Sequence, residues 1–156
     1  MKKLILFVGI IMAIFIALVV ITNIQQTQNA EGNPFGKSKL HPETQKQLDD
    51  PLYQNVITPD ELKEDLDAGE TKTVYFYKSD CPACQQTSPV VVPMAEEMGI
   101  DLEMYNLLEF EEGWNEYAIE STPTFIHFED GKEVDRLANY HQDHSVFSSW
   151  FEGLGE

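Results

Sequence analysis

A chain of 156 residues with 27 acidic and 10 basic side chains, formally −17, offers nucleic acid no electrostatic footing. Its two cysteines are too few for a disulfide-stapled scaffold or a four-thiolate zinc site. After Met1-Lys2-Lys3 comes an apolar run from Leu4 to Ile21, 18 residues without a charge and extendable to Ile24. At about 1.5 Å per residue that run is about 27 Å long, enough for the hydrocarbon core of a bilayer with little tilt. Residues 1–24 therefore read as an N-terminal transmembrane anchor that meets lipid through residues 4–24. A cleaved signal peptide would have a shorter apolar region and a small-x-small site after it, whereas Gln28-Asn29-Ala30 lacks the first small residue. Lys2 and Lys3 orient the amino terminus to the cytoplasm, so the rest is expected on the extracytoplasmic side of a single-pass cell-membrane protein. That exported part carries 10 − 2 = 8 basic and 27 acidic side chains, a charge of 8 − 27 = −19, which favours solubility and attracts cationic partners.

Residues 25–52 are polar, with Gly32, Pro34 and Gly36 and few large apolar side chains, and read as a flexible linker; Pro42 to Asp50 has the makings of a helical turn or two. The globular domain is expected over 53–156. Tyr53 to Ile57 is a short strand candidate. Thr58-Pro59-Asp60-Glu61 combines an N-cap, a first-turn proline and a capping-box acid, and Gly69 closes that helix. Val74 to Tyr77 is aromatic and β-branched without alternation, as in a central strand buried on both faces. A helix follows Cys81 and should last to about Met98. Next come a strand over 101–106, a short helix over 113–119, two strands over 124–128 and 133–138 around the Asp130-Gly131 turn, and a last helix capped by Asp143 or Ser145.

Both cysteines lie in Cys81-Pro82-Ala83-Cys84, between the central strand and the following helix. A disulfide closing so short a loop restricts the unfolded chain by only about 2 kcal/mol, so stabilisation is a poor reason for the pair. Covalent haem attachment needs a histidine after Cys84, where Gln85 stands. The spacing suits redox chemistry instead. At a helix N-terminus Cys81 meets oriented N–H groups that favour its thiolate, and Cys84, one turn further in, is placed to resolve a mixed disulfide.

The order β-α-β-α-β-α-β-β-α, with Cys-x-x-Cys opening the second helix, resembles the thioredoxin fold: an α/β domain with a central mixed sheet flanked by helices. Pro89 stands where thioredoxins carry the proline that kinks the active-site helix, and Pro93 adds a second interior proline that should bend it more sharply. Thr122-Pro123-Thr124 matches the family's cis-proline loop. The resemblance implies that Pro123 is cis and that the backbone of Thr122 pairs with a substrate strand. Three departures stand out. Asp80 replaces the tryptophan usual before the first cysteine, and Pro82-Ala83 replaces Gly-Pro between the cysteines. The family's buried carboxylate, assigned to proton transfer with the second cysteine, is replaced by Tyr75. His127, on a strand, is a candidate substitute, though a core or solvated histidine is the commoner case; His41, His141 and His144 are weaker candidates.

With its anchor, the chain is similar to exported thiol-disulfide oxidoreductases, including the thioredoxin-like bacteriocin transport accessory proteins. The resemblance implies exchange with exported thiol or disulfide proteins and peptides, cationic ones among them. It also implies a membrane redox partner that recycles the pair and no cofactor besides the Cys81-Cys84 disulfide, with no resident metal. Ala83 supplies no basic residue, and Asp80 should oppose a neighbouring thiolate, which leans toward a reductant or isomerase over a strong oxidant. The alternative is a metal (copper) chaperone or peptide-binding accessory protein on the same scaffold, using Cys81 and Cys84 with a nearby His or Met.

Overall fold

The computed structural model describes the backbone of residues 2–30 and 32–154, with the side chains of 7–22, 24 and 32–154. Chain contacts divide it into two units, Met1–Leu40 and His41–Glu156.

In the first unit, helix α1 covers Lys2–Ala30. None of its described large apolar side chains is buried; they range from 40% exposed at Ile11 to 64% at Phe15. Among the described residues no helix is long and apolar enough to cross a membrane. The described side chains of α1 begin at Phe7, so residues 4–6 of the apolar run, and the side chains of Lys2 and Lys3, lie outside them.

The second unit starts at His41, not Tyr53, which shortens the linker expected over 25–52 at both ends. Gln25 to Ala30 continue α1, and the short helix α2 (Pro42–Gln45) and a 3-10 turn (Pro51–Tyr53) belong to the globular unit. Proline opens both elements, and Asp50 caps the second by accepting from the N–H of Leu52 at 3.0 Å.

Helix α3 (Pro59–Asp67) has both halves of the expected capping box. Thr58 accepts from the N–H of Glu61 while the Glu61 carboxylate accepts from the N–H of Thr58, a closure worth about 1 kcal/mol. The strands are β1 (Lys72–Tyr77), β2 (Leu102–Asn106), β3 (Thr124–Glu129) and β4 (Lys132–Ala138), in the order β2-β1-β3-β4. Among the described strands β1 pairs with β2 in parallel, and the β1-β3 and β3-β4 pairings are antiparallel. Helices α4 (Pro82–Glu97), α5 (Gly113–Glu116) and α6 (Ser145–Gly153) complete the unit. The β3-β4 turn needs its glycine. Gly131 has φ +71°, and a Cβ there would run into the backbone carbonyl of Leu66.

One expected element is missing. Tyr53 to Ile57 forms only an isolated bridge, Val56 with Met104, rather than a strand. Tyr53 is taken into the 3-10 turn, and Asn55 spends its side chain on Asp101 and the Leu102 carbonyl. One residue of ladder remains between the turn and the cap of α3.

Strand β1 is buried on both faces, as its composition predicts. Val74 and Phe76 point to one side, Tyr75 and Tyr77 to the other, and all four are fully inaccessible. Tyr75 and Tyr77 share a core with Phe125, Cys84 and Val91, and with Phe147 and Phe151 of α6. On the other face Phe76 packs against Tyr105 and Tyr117 with ring centroids 5.2 and 5.0 Å away. Helix α4 runs unbroken through Pro89 and Pro93.

Candidate active site

The turn after β1 delivers Cys81 as the N-cap of α4, with Pro82 in the first helical position, where a missing N–H costs nothing. The sulfur of Cys81 fills the role a hydroxyl or carboxylate usually plays in a cap. It accepts from the N–H of Cys84 at 3.1 Å, a bond that strengthens when the sulfur carries charge. Cys81 is half-buried, while Cys84, one turn inside, is 1% exposed. Both are free thiols, and their sulfurs approach to 2.7 Å. An internal disulfide therefore closes with a shift of less than about 1 Å.

The Thr122-Pro123 peptide bond is cis, as the resemblance implies. The carbonyl oxygen of Thr122 lies 3.6 Å from Cys81 Sγ, which brings the two loops together. Pro82 and Ala83 form the first turn of α4 between the cysteines. Pro89 stands exposed one residue beyond Ser88 and leaves the Gln85 carbonyl without a helical N–H donor. Asp80 is not the isolated charge the sequence suggested. Its carboxylate pairs with Lys78 at 3.1 Å, so its repulsion of a charged Cys81 is partly offset.

Tyr75 occupies the place of the family's carboxylate and does different chemistry. Its ring stacks on Phe125 with centroids 4.5 Å apart. Its hydroxyl sits 3.2 Å from Ser88 Oγ and donates to the Cys84 carbonyl at 3.4 Å, and Ser88 donates to that same carbonyl at 2.9 Å. Burial pushes the Tyr75 hydroxyl well above the usual phenol range, so it is neutral and takes up no proton at physiological pH. His127 does not substitute. It lies three residues along β3 from Thr124, about 10 Å from the cysteine end, with Nδ1 2.9 Å from Thr73 Oγ1. His141 places a ring nitrogen at the Ala138 carbonyl, and His41 donates its backbone N–H to Glu109. Among the described residues no group of three or more His, Cys, Asp or Glu side chains is placed to hold a metal.

Sequence reasoning did not single out the polar residues behind the pair. Ser79, Thr44 and Asn106 are all within 1% of full burial. Ser79 Oγ lies 3.0 Å from Thr44 Oγ1 and accepts from Asn106 Nδ2 at 2.8 Å, while its carbonyl accepts from Gln85 Nε2 at 3.0 Å. The one available signal was Pro42, which opens a helix inside a stretch read as linker.

Burial, and then the hydrogen bond to the Cys81 sulfur, push the Cys84 thiol up to about 12. An unfolded cysteine ionises near about 8.5, so the fold retains a proton the unfolded chain releases. The Cys84 contribution to stability is fully present below about pH 8.5 and is lost as pH rises toward about 12. Iodoacetamide added to the reduced protein between about pH 6 and 9 should label Cys81 and spare Cys84, as read by mass spectrometry. Equal labelling of both in the folded protein contradicts the burial of Cys84.

The fold has many solved counterparts. The thioredoxin of Halobacterium salinarum, solved as a single-residue mutant, is 25% identical with a TM-score of 0.55, over 65% of this chain and 88% of that one. The Fasciola hepatica thioredoxin is 24% identical with a TM-score of 0.55, covering 64% of this chain and 97% of its own. A poplar thioredoxin h is 22% identical with a TM-score of 0.53, covering 65% and 98%. The thioredoxin family model matches residues 54–150, from the bridge before α3 into the last helix, so the chain belongs to the thioredoxin family and is a thiol-disulfide oxidoreductase.

Proposed function

We propose that this enzyme is held in the cell membrane by α1 and exchanges disulfides with exported proteins or peptides through Cys81-Pro82-Ala83-Cys84. The observation that carries the reading is the asymmetry of the pair: a half-buried sulfur at the mouth of α4 and, 2.7 Å behind it, one that is 1% exposed. In the reducing direction the Cys81 thiolate attacks a substrate disulfide, one substrate sulfur leaves as thiolate, and a mixed disulfide forms. Cys84 then attacks the Cys81 sulfur. The Cys81-substrate bond breaks, the internal disulfide forms, and two electrons have passed to the substrate. Neutral Tyr75 holds the place of the family's carboxylate and accepts no proton, so the departing substrate thiolate takes that of Cys84. The main chain of Thr122 and the ring of Pro123, beside Cys81, are the proposed seat of the substrate strand.

A membrane redox partner must then reduce the pair, or oxidise it if the enzyme runs the other way. Ala83 provides no cation, which supports a reductant or isomerase; the Lys78-Asp80 pair makes Asp80 a smaller part of that case than its charge suggests. The acidic exported part suits cationic substrates, attracted at long range and released as salt rises.

Two tests follow from these assignments. Replacing Cys84 by Ser removes the resolving thiol, and mixed disulfides with native substrates should accumulate on Cys81 and be recovered on non-reducing gels. Efficient trapping by Cys81→Ser instead would reverse the assigned roles. Anchoring rests on the uncharged run Leu4 to Ile21 and on the exposed apolar side chains around α1. Protease added outside intact cells should remove the globular unit while the residual fragment keeps Lys2 and Lys3; a soluble secreted form starting near Glu31 would exclude the anchor.

A further inference from the structure

Residues 41–53 precede the span matched by the thioredoxin family model, yet they are built into the back of the cysteine turn. The chain enters the globular unit at His41, whose N–H donates to the buried Glu109 carboxylate at 2.8 Å. Three residues later Thr44, fully inaccessible, puts its hydroxyl 3.0 Å from Ser79 Oγ and 3.4 Å from Asn106 Nδ2. The segment ends at Tyr53, whose ring packs 5.6 Å from Tyr77 in the core that also holds Cys84 and Tyr75. We propose that this segment is a brace that positions the redox pair, and that the Thr44 hydroxyl, acting through Ser79, is a positioning residue for Cys81.

Ser79 stands two residues before Cys81. It is clamped on the helix side by Gln85 Nε2 at its carbonyl and on the other side by Thr44 and Asn106 at its hydroxyl. The Cys81 N–H closes the same turn on the Lys78 carbonyl at 3.1 Å. Two buried hydroxyls and an amide are neutral and directional, so they fix the turn without adding charge beside the sulfurs. Losing one member leaves a buried donor or acceptor unpaired and frees the turn to move. Freedom there separates the two thiols on average and lowers their effective concentration toward each other, which disfavours the internal disulfide.

The inference rests on the thiol-disulfide reading of the site, and the test keeps the two apart. The full chain in detergent is equilibrated with reduced and oxidised glutathione. In this exchange Cys81 and Cys84 together give up two electrons and two protons to glutathione disulfide, yielding the internal disulfide and two glutathione thiols. Thr44→Val keeps the branched shape and removes the hydroxyl; Thr44→Ser keeps the hydroxyl and removes a methyl. The equilibrium constant for the internal disulfide should fall at least about threefold in Thr44→Val, equivalent to about 14 mV at 29.6 mV per tenfold, and stay near wild type in Thr44→Ser. A Thr44→Val constant equal to wild type, or an equal fall in both variants, overturns the positioning role and leaves Thr44 as packing. If Thr44→Val does not fold, Thr44→Ala takes its place under the same outcomes. Failure of the wild-type chain to form the internal disulfide defeats the redox assignment itself.

Discussion

Cys84 is all but shut off from solvent at 1% exposure, and the rest of the site follows from that. The sheet face beneath α4 is aromatic, with Tyr75 stacked on Phe125 and Tyr77 packed beside Tyr53, and Cys84 is buried in the same core. A thiol so placed keeps its proton and reacts only with what is brought to it. The sulfur it meets is therefore that of Cys81, 2.7 Å away. Cys81 meets both demands by capping the helix: it stays half-buried at the surface and 2.7 Å from its resolving thiol.

Neutral groups do the positioning. Tyr75 and Ser88 bind the Cys84 carbonyl, and Thr44, Ser79 and Asn106 hold the turn from behind. Hydroxyls and an amide specify geometry with little effect on the charge balance of the sulfurs, whereas a buried carboxylate would set both at once. Lys78 and Asp80 pair at the rim, which partly offsets the charge beside Cys81. The excess of acidic side chains is left to act at long range on what approaches.

What the sequence revealed depended on how local the cause was. The capping box at Thr58, the four buried residues of β1, and the N-cap position of Cys81 are each decided within a few residues, and the structure has them. The Thr122-Pro123 cis bond was legible only by resemblance, because nothing local distinguishes it from a trans proline opening a strand. Contacts distant in sequence were not legible. Thr44 meets Ser79 across 35 positions, so residues 41–52 read as linker when their polar side chains are in part buried partners. Tyr53 to Ile57 had strand composition, but one bridge at Val56 is all that the neighbouring turn and cap leave. Asp80 looked like a bare charge because a two-residue offset to Lys78 does not announce an ion pair.

Catalytic turnover tests the redox assignment of the pair most directly. Purified full chain in detergent, supplied with dithiothreitol as electron donor, should reduce the interchain disulfides of insulin at a rate proportional to enzyme concentration and well above the uncatalysed rate. Cys81→Ser should abolish the acceleration. A wild-type rate indistinguishable from dithiothreitol alone, with the chain folded and both thiols free at the start, would contradict the assignment of Cys81 and Cys84 as a working redox centre.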